Sequence, residues 1–186
     1  MKEINEIIKM FEDSSITKLE FINKNSDKIL HIIHSIISTF EDGYKILIFG
    51  NGGSAADAQH MAAEFINRIK LDRDPLPAIA LTTDSSVLTS ISNDYNFSEI
   101  FSKQIKAMGK PGDMVIGITT SGNSENIING INQANKMMMQ TLCITGNDGG
   151  ESGKIADMSL IVDSTDPQRI QETHITIIHV ICEMVE

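Results

Sequence analysis

No run of apolar residues in this 186-residue chain approaches the roughly 20 needed to cross a bilayer. There is no basic block either: 15 Lys and Arg stand against 25 Asp and Glu, a formal charge of −10. Nucleic-acid backbones and acidic membrane surfaces reward clustered cations, so neither is an expected partner. A small anionic substrate stays open, because it needs only local donors. Met1-Lys2-Glu3-Ile4 begins no apolar signal core, and a cytoplasmic location is expected. Cysteine is scarce. Cys143 and Cys182 both sit in apolar segments and read as buried free thiols rather than a disulfide. Repeats, linkers and low-complexity tracts are absent, and one domain spanning 1–186 is the expectation at this length.

What is present falls into two regimes. Over residues 1–42 the apolar positions Ile4, Ile7, Ile8 and Phe11, then Ile29, Ile33, Ile36, Ile37 and Phe40, recur at helical spacing, with Gly43 as a stop. This predicts an arm of N-terminal helices, used in packing and oligomerisation, that needs a partner surface in its own core or on another subunit. Over 43–186 five short apolar runs appear: Lys45–Phe49, Ala78–Leu81, Met114–Ile118, Thr141–Ile144 and Ser159–Val162. Helices fit between and after them at Ser54–Asn67, Ser85–Ser92, Ser98–Met108, Ser124–Lys136 and Pro167–Val185, the last capped by Asp166. Continuous apolar runs alternating with helices predict an α/β fold, a parallel sheet covered on both faces.

Three of the runs end in polar turns: Gly50-Asn51-Gly52-Gly53-Ser54, Thr119-Thr120-Ser121-Gly122-Asn123-Ser124 and Thr145-Gly146-Asn147-Asp148-Gly149-Gly150. Ligands of open α/β sheets bind beyond the carboxyl ends of the strands. The first two turns lead into helix N-termini, whose free N–H groups and dipole favour anions. Hydroxyls at Thr119, Thr120, Ser121 and Ser124 add donors without charge, which suits a phosphate monoester. Turns of this kind are also rich in Gly, Ser and Thr for backbone reasons alone. A Walker loop is excluded by the missing lysine. A dinucleotide fingerprint fits in part at Gly50, Gly52 and Ala55, but Lys70–Asp74, where the acidic end of a second strand belongs, is polar and loop-like.

Two helices carry the remaining chemistry. His60 and Glu64 stand at i and i+4, on one face and about 6 Å apart along the axis. That spacing suits a metal, a shared proton or a plain surface hydrogen bond. On the last helix Gln171 and His179 lie about 12 Å apart, so they meet at one point only if both reach inward or two copies contribute. His179 stands in the apolar stretch Ile177-Ile178-His179-Val180-Ile181, where an isolated histidine is normally a buried core residue. His174, about 140° round the helix, is the weaker candidate. Nitrogen and oxygen ligands from His, Glu and Gln would suit a borderline divalent ion such as zinc.

Taken together, Gly50–Ser54 with Asp57, His60 and Glu64, then Leu81-Thr82-Thr83-Asp84, Ser92-Asn93-Asp94-Tyr95, the 119–124 turn and Arg169-Ile170-Gln171-Glu172 closely resemble the phosphoheptose isomerases of the sugar-isomerase (SIS) domain family. The resemblance runs over nearly the whole chain. It implies a five-stranded parallel sheet flanked by helices, a flavodoxin-like three-layer sandwich, assembled as a homotetramer with active sites at subunit interfaces. It implies interconversion of sedoheptulose 7-phosphate and D-glycero-D-manno-heptose 7-phosphate, the first step toward activated heptose for lipopolysaccharide or other surface glycans. By matching motif, one zinc ion per subunit would sit on His60, Glu64, Gln171 and His179. Substrate contacts would come from Asn51, Gly52, Gly53, Ser54, Glu64, Asn93, Asp94, Thr119, Thr120, Ser121, Ser124 and Gln171, and proton transfer from Glu64 and His179. Thr119 stands where some members have serine, and Gln168 where some have aspartate or alanine. A relative in the same family resembles this chain through the glycine turn yet serves as a non-catalytic scaffold for the bacterial replication initiator. There the position matching His179 is not histidine, so the residues here favour the isomerase. A sugar-phosphate-sensing regulator would need a basic helix-turn-helix, and none is visible.

Overall fold

The computed structural model describes residues 2–186. Its sheet holds β1 (Ile46–Gly50), β2 (Ala78–Ala80), β3 (Met114–Ile118), β4 (Gln140–Gly146) and β5 (Met158–Val162), in the order β2-β1-β3-β4-β5. Every pairing is parallel: Ile46 lies opposite both Ala78 and Met114, Met114 opposite Gln140, and Leu142 opposite Met158. The helices are α1 (Lys2–Glu41), α2 (Gly53–Ile66), α3 (Ser85–Asp94), α4 (Ile100–Met108, after a 3-10 turn at Phe97–Glu99), α5 (Glu125–Lys136), α6 (Gly150–Ile155) and α7 (Pro167–Val185). The expected five-stranded α/β sandwich is therefore present.

The apolar runs explain the layers. Alternate side chains of a strand point to opposite faces. Ile46, Ile48, Met114, Ile116, Ile118 and Leu142 join the core formed with α1, α2 and α7. Leu47, Phe49, Val115 and Cys143 join a second core with Ile100, Phe101 and Ile105 of α4 and Ile127 and Ile131 of α5. Each such side chain, fully buried, contributes about 1.5–3 kcal/mol. Both thiols are free and buried, as the sequence suggested.

Three differences from the sequence reading have physical causes. The N-terminal helices are one helix, unbroken because Lys2–Glu41 contains neither Gly nor Pro. Gly43, at φ 77°, follows its end. Strand β4 runs on to Gly146, because Thr145 and Gly146 still pair with Ile161 and Val162. Helix α6 was not predicted: six residues with two glycines carry no periodic signal. Tertiary bonds hold it, with Ser152 N–H donating to the Gly122 carbonyl at 2.8 Å and the Cys143 thiol to the Ser152 hydroxyl at 3.3 Å.

The halves of α1 differ. Phe21, Ile29, Ile32, Ile33 and Ile36 are buried, and α1 packs on α7 and β5. Toward the N-terminus Ile4, Ile7, Ile8, Met10 and Phe11 are exposed, Phe11 by 74%. Among the described residues no helix is long and apolar enough to cross a membrane.

The chain leaves β1 into α2 on one face and β3 into α5 on the other. Because β1 and β3 are neighbours, the crevice between those exits is the topological switch point, where α/β sheets hold ligands.

Candidate active site

Two turns border the crevice. At the first, Gly52 adopts φ 55°, ψ −119°, a backbone state that a Cβ disfavours, and Gly50 is pressed so closely on α2 that a Cβ there would stand 2.5 Å from the Ser54 carbonyl oxygen. At the second, the buried Thr119 hydroxyl accepts from Gly122 N–H at 3.3 Å and the Ser121 hydroxyl from Asn123 N–H at 3.2 Å. Asn147, itself at φ 55°, donates its side-chain amide to the Thr120 carbonyl at 3.0 Å from the third polar turn. A reciprocal amide pair, Asn51 with Asn126, joins the first two turns through two bonds of 2.9 Å.

The helix N-termini differ in a telling way. Asp84 caps α3 by accepting from Val87 N–H, and Asp166 caps α7 by accepting from Gln168 N–H at 2.9 Å. Helices α2, α4, α5 and α6 carry no side-chain cap; of these, α2 and α5 open from the two turns that border the crevice, although Ser124 occupies the capping position of α5. On α2 the Ser54 and Ala55 N–H groups turn back onto the Asn51 and Gly52 carbonyls at 3.0 and 3.1 Å, and on α5 Ile127 N–H does so onto the Ser124 carbonyl at 3.0 Å, which leaves the positive ends of both helices facing the crevice without an acidic cap.

Helices α2 and α7 pack against each other on one face of the sheet. Across that seam His60 Nε2 lies 3.0 Å from Glu64 Oε1 and 3.4 Å from His179 Nε2. One ligand atom from each of the three falls within 4.8 Å of the others. The imidazole rings meet edge to face, with centroids 5.0 Å apart. His60 and His179 are exposed and Glu64 is half-buried. A single proton on His60 Nε2 satisfies the carboxylate or the facing imidazole well, not both. Two nitrogens and a carboxylate oxygen converging in this way form a donor set that a borderline divalent cation satisfies.

The SIS domain family model matches residues 10–146, which hold both turns, His60 and Glu64. Phosphoheptose isomerase of Aquifex aeolicus is 50% identical over 183 residues, covering 98% of this chain and 96% of the relative. The chain belongs to the SIS domain family, among the phosphoheptose isomerases. Solved phosphoheptose isomerases agree: that of Francisella tularensis superposes with a TM-score of 0.95 at 37% identity, covering 100% of this chain and 98% of the other. That of Neisseria gonorrhoeae gives 0.92 at 39% identity, covering 97% of each. Helix α7 lies outside the matched family segment, and these whole-chain relatives extend over it.

The other candidates are placed as follows. Gln171 does reach the glycine turn, since a Cβ on Gly53 would stand 3.1 Å from its side-chain nitrogen. It thus sits at the α2 N-terminus, while His179 meets α2 at His60. Asn93 and Asp94 end α3, exposed, and bond to each other at 2.8 Å. Neither is hydrogen-bonded to the His60 cluster. The apolar neighbours of His179 do not bury it, and of the two α7 histidines it is the site candidate that reaches the cluster. His174 is fully buried with Nε2 on the Thr145 carbonyl at 3.1 Å, and His179 faces the seam. Burial pulls the His174 imidazole down to about 4, against the opposing pull of that carbonyl.

Sequence reasoning gave no site role to four contributors. Asn126 and Asn147 brace the turns from ordinary-looking positions. Asp57, one turn before His60, is half-buried; burial pushes its carboxyl above the usual range, and the His60 and His179 imidazoles act against that. Arg73 is the fourth. Only Asp57 carried a signal, its i−3 spacing to His60.

Proposed function

We propose that this protein interconverts sedoheptulose 7-phosphate and D-glycero-D-manno-heptose 7-phosphate, an aldose–ketose isomerisation through a cis-enediol. The observation that carries the reading is the meeting of His60, Glu64 and His179 across the seam of α7 with α2, the helix that the glycine turn opens. The phosphate belongs at the N-termini of α2 and α5, with Ser54, Thr119, Thr120, Ser121 and Ser124 as donors. Asn51, Gly52, Gly53, Asn93, Asp94 and Gln171 are assigned to the substrate.

In the ketose-to-aldose direction Glu64 takes the proton from C1, and the C1–H electrons become the C1–C2 double bond. His179 gives a proton to the C2 oxygen, completing the enediol. The O1 proton then returns to His179 as the C1 carbonyl forms, and Glu64 delivers its proton to C2. One carbon-bound and one oxygen-bound proton have moved, and both residues are restored.

His60, Glu64 and His179, with Gln171, are the residues that would hold zinc, one ion per subunit. When bound, such an ion supplies Lewis-acid polarisation of a carbonyl. Ligation lowers the basicity of a carboxylate, so the two roles of Glu64 compete. The exposed cluster and the uncovered apolar face at Ile4, Ile7, Ile8 and Phe11 support a homotetramer with sites at subunit interfaces. We place the reaction in the cytoplasm, where both thiols stay reduced, at the entry to activated heptose for surface glycans such as lipopolysaccharide. A scaffold for the replication initiator would need no such cluster.

Purified protein given sedoheptulose 7-phosphate is expected to form the aldose, and more slowly after chelation. Absence of product would end the isomerase reading. Product at an unchanged rate after chelation would end the zinc reading alone.

A further inference from the structure

The candidate site spans two helices, so its geometry depends on what fixes α2 against α7. At their C-terminal ends the two are tied by a mostly buried ionic clasp. Arg73 follows α2 in the loop to β2, and its side chain is only 15% exposed. Its Nη2 donates to the backbone carbonyl of Glu64 at 3.0 Å and its Nη1 to that of Phe65 at 2.8 Å. These are carbonyls of the last helical turn, which lack intrahelical partners. Arg73 Nε, a buried donor without a hydrogen-bond partner, faces Glu186 Oε1 at 3.8 Å as a charge pair just beyond the end of α7. The Glu186 side chain is 2% exposed, and its two oxygens accept from the N–H groups of Ile69 at 2.8 Å and Lys70 at 2.6 Å. Burial acts to raise the Glu186 carboxyl; the N–H groups of Leu71, Lys70 and Ile69, with the Arg73 charge, outweigh it and hold it below its usual value. The Cys182 thiol, buried on α7, is pushed up to about 12, first by burial and then by the Glu64 carboxylate, with Arg73 opposing and Glu186 adding to the rise. The four side chains therefore share one neighbourhood.

We propose that Arg73 and Glu186 are positioning residues, a clasp that sets the approach of α2 to α7 and so holds Glu64 and His60 against His179. Neither touches the substrate in this account. The clasp acts on Glu64 directly, through its own carbonyl, and on α7 through the carboxylate that anchors the intervening loop. A planar guanidinium reaches both helix-end carbonyls through Nη1 and Nη2 while its charge faces the carboxylate; an ammonium is a point donor. Misplacing reacting groups by about 1 Å costs on the order of a hundredfold in rate, so a small shift of α2 along α7 is enough to matter. An exposed tie crosses the same seam nearby, Lys70 with Glu183 at 2.5 Å, and supplies a control that lacks these contacts.

The proposal rests on the isomerase reading for its kinetic consequence but not for its structural one, and the test separates them. Arg73→Gln, Arg73→Lys and Glu186→Gln are compared with Glu183→Gln, for turnover on sedoheptulose 7-phosphate and by crystal structure of each folded variant. In the first three, kcat is expected to fall by about tenfold or more while KM stays within roughly threefold, and the His60–Glu64–His179 triangle is expected to open. Glu183→Gln should match wild type in both. Arg73→Lys and Glu186→Gln keep the size of the side chain and serve if Arg73→Gln does not fold. An unchanged triangle in the clasp variants would overturn the proposal whatever the kinetics. So would equal loss of kcat in Glu183→Gln. If the wild type fails to turn over, the isomerase reading falls, and the triangle alone decides the clasp.

Discussion

His174 and His179 lie five residues apart on one helix and live in different chemical worlds. His174 is sealed under β4, bonded to the Thr145 carbonyl and held neutral by burial. His179 stands at the seam with α2, 3.4 Å from His60, open to solvent. Five residues turn the helix by about 140°, which carries one ring onto the sheet and the other off it. The stretch around His179 is the more apolar of the two, yet it is the histidine that faces out. Apolar neighbours in sequence report the company along the chain, not the direction of a side chain.

The comparison breaks if the two histidines respond alike to removal. His179→Ala is expected to lower kcat by about 10²- to 10⁴-fold while shifting unfolding free energy by no more than about 0.5 kcal/mol. His174→Ala should do the opposite. It leaves a cavity and an unpaired carbonyl, at about 2–4 kcal/mol of stability in urea titration, with turnover per folded molecule within about threefold of wild type. Loss of turnover from His174→Ala at full stability would reverse the assignment.

Acid sharpens the same contrast. The folded value for His174, about 4, lies below its ordinary 6.5, so the unfolded chain takes up the proton first. Its contribution is complete above about pH 6.5 and is lost as pH falls toward 4, amounting to roughly 3 kcal/mol over the whole window. Between pH 7 and 5 the wild type should lose about 2 kcal/mol through this group, and His174→Gln should lack that component. A smaller pair of changes extends the comparison to the helix N-termini. Ser124→Ala, at the uncapped α5, is expected to raise KM for the sugar phosphate by about tenfold through a lost bond to a charged group, with stability unchanged. Asp166→Ala, at the capped α7, should cost about 1 kcal/mol, a fall of about 2–4 °C in Tm. Measuring both quantities in both variants tells an anion site from a structural cap.

Much of this was legible in the chain. Five apolar runs gave five strands because a doubly covered sheet leaves each strand no polar face. The His60–Glu64 pair was legible because helix spacing puts i and i+4 together whatever surrounds them. The two uncapped turns announced themselves through Gly, Ser and Thr. The rest needed long-range pairing that no local pattern encodes. Asn51 reads as a free turn amide until Asn126 is placed beside it. Arg73 and Glu186 look like ordinary charges near two helix ends. Helix α6 is held by Gly122 and Cys143 rather than by its own six residues.

The most direct test is Glu64→Gln, which keeps the shape of the side chain and removes its basicity. The account predicts that this variant still binds sedoheptulose 7-phosphate, within roughly tenfold of wild type, while aldose formation falls by about 10²-fold or more. Near-normal turnover in Glu64→Gln would contradict it.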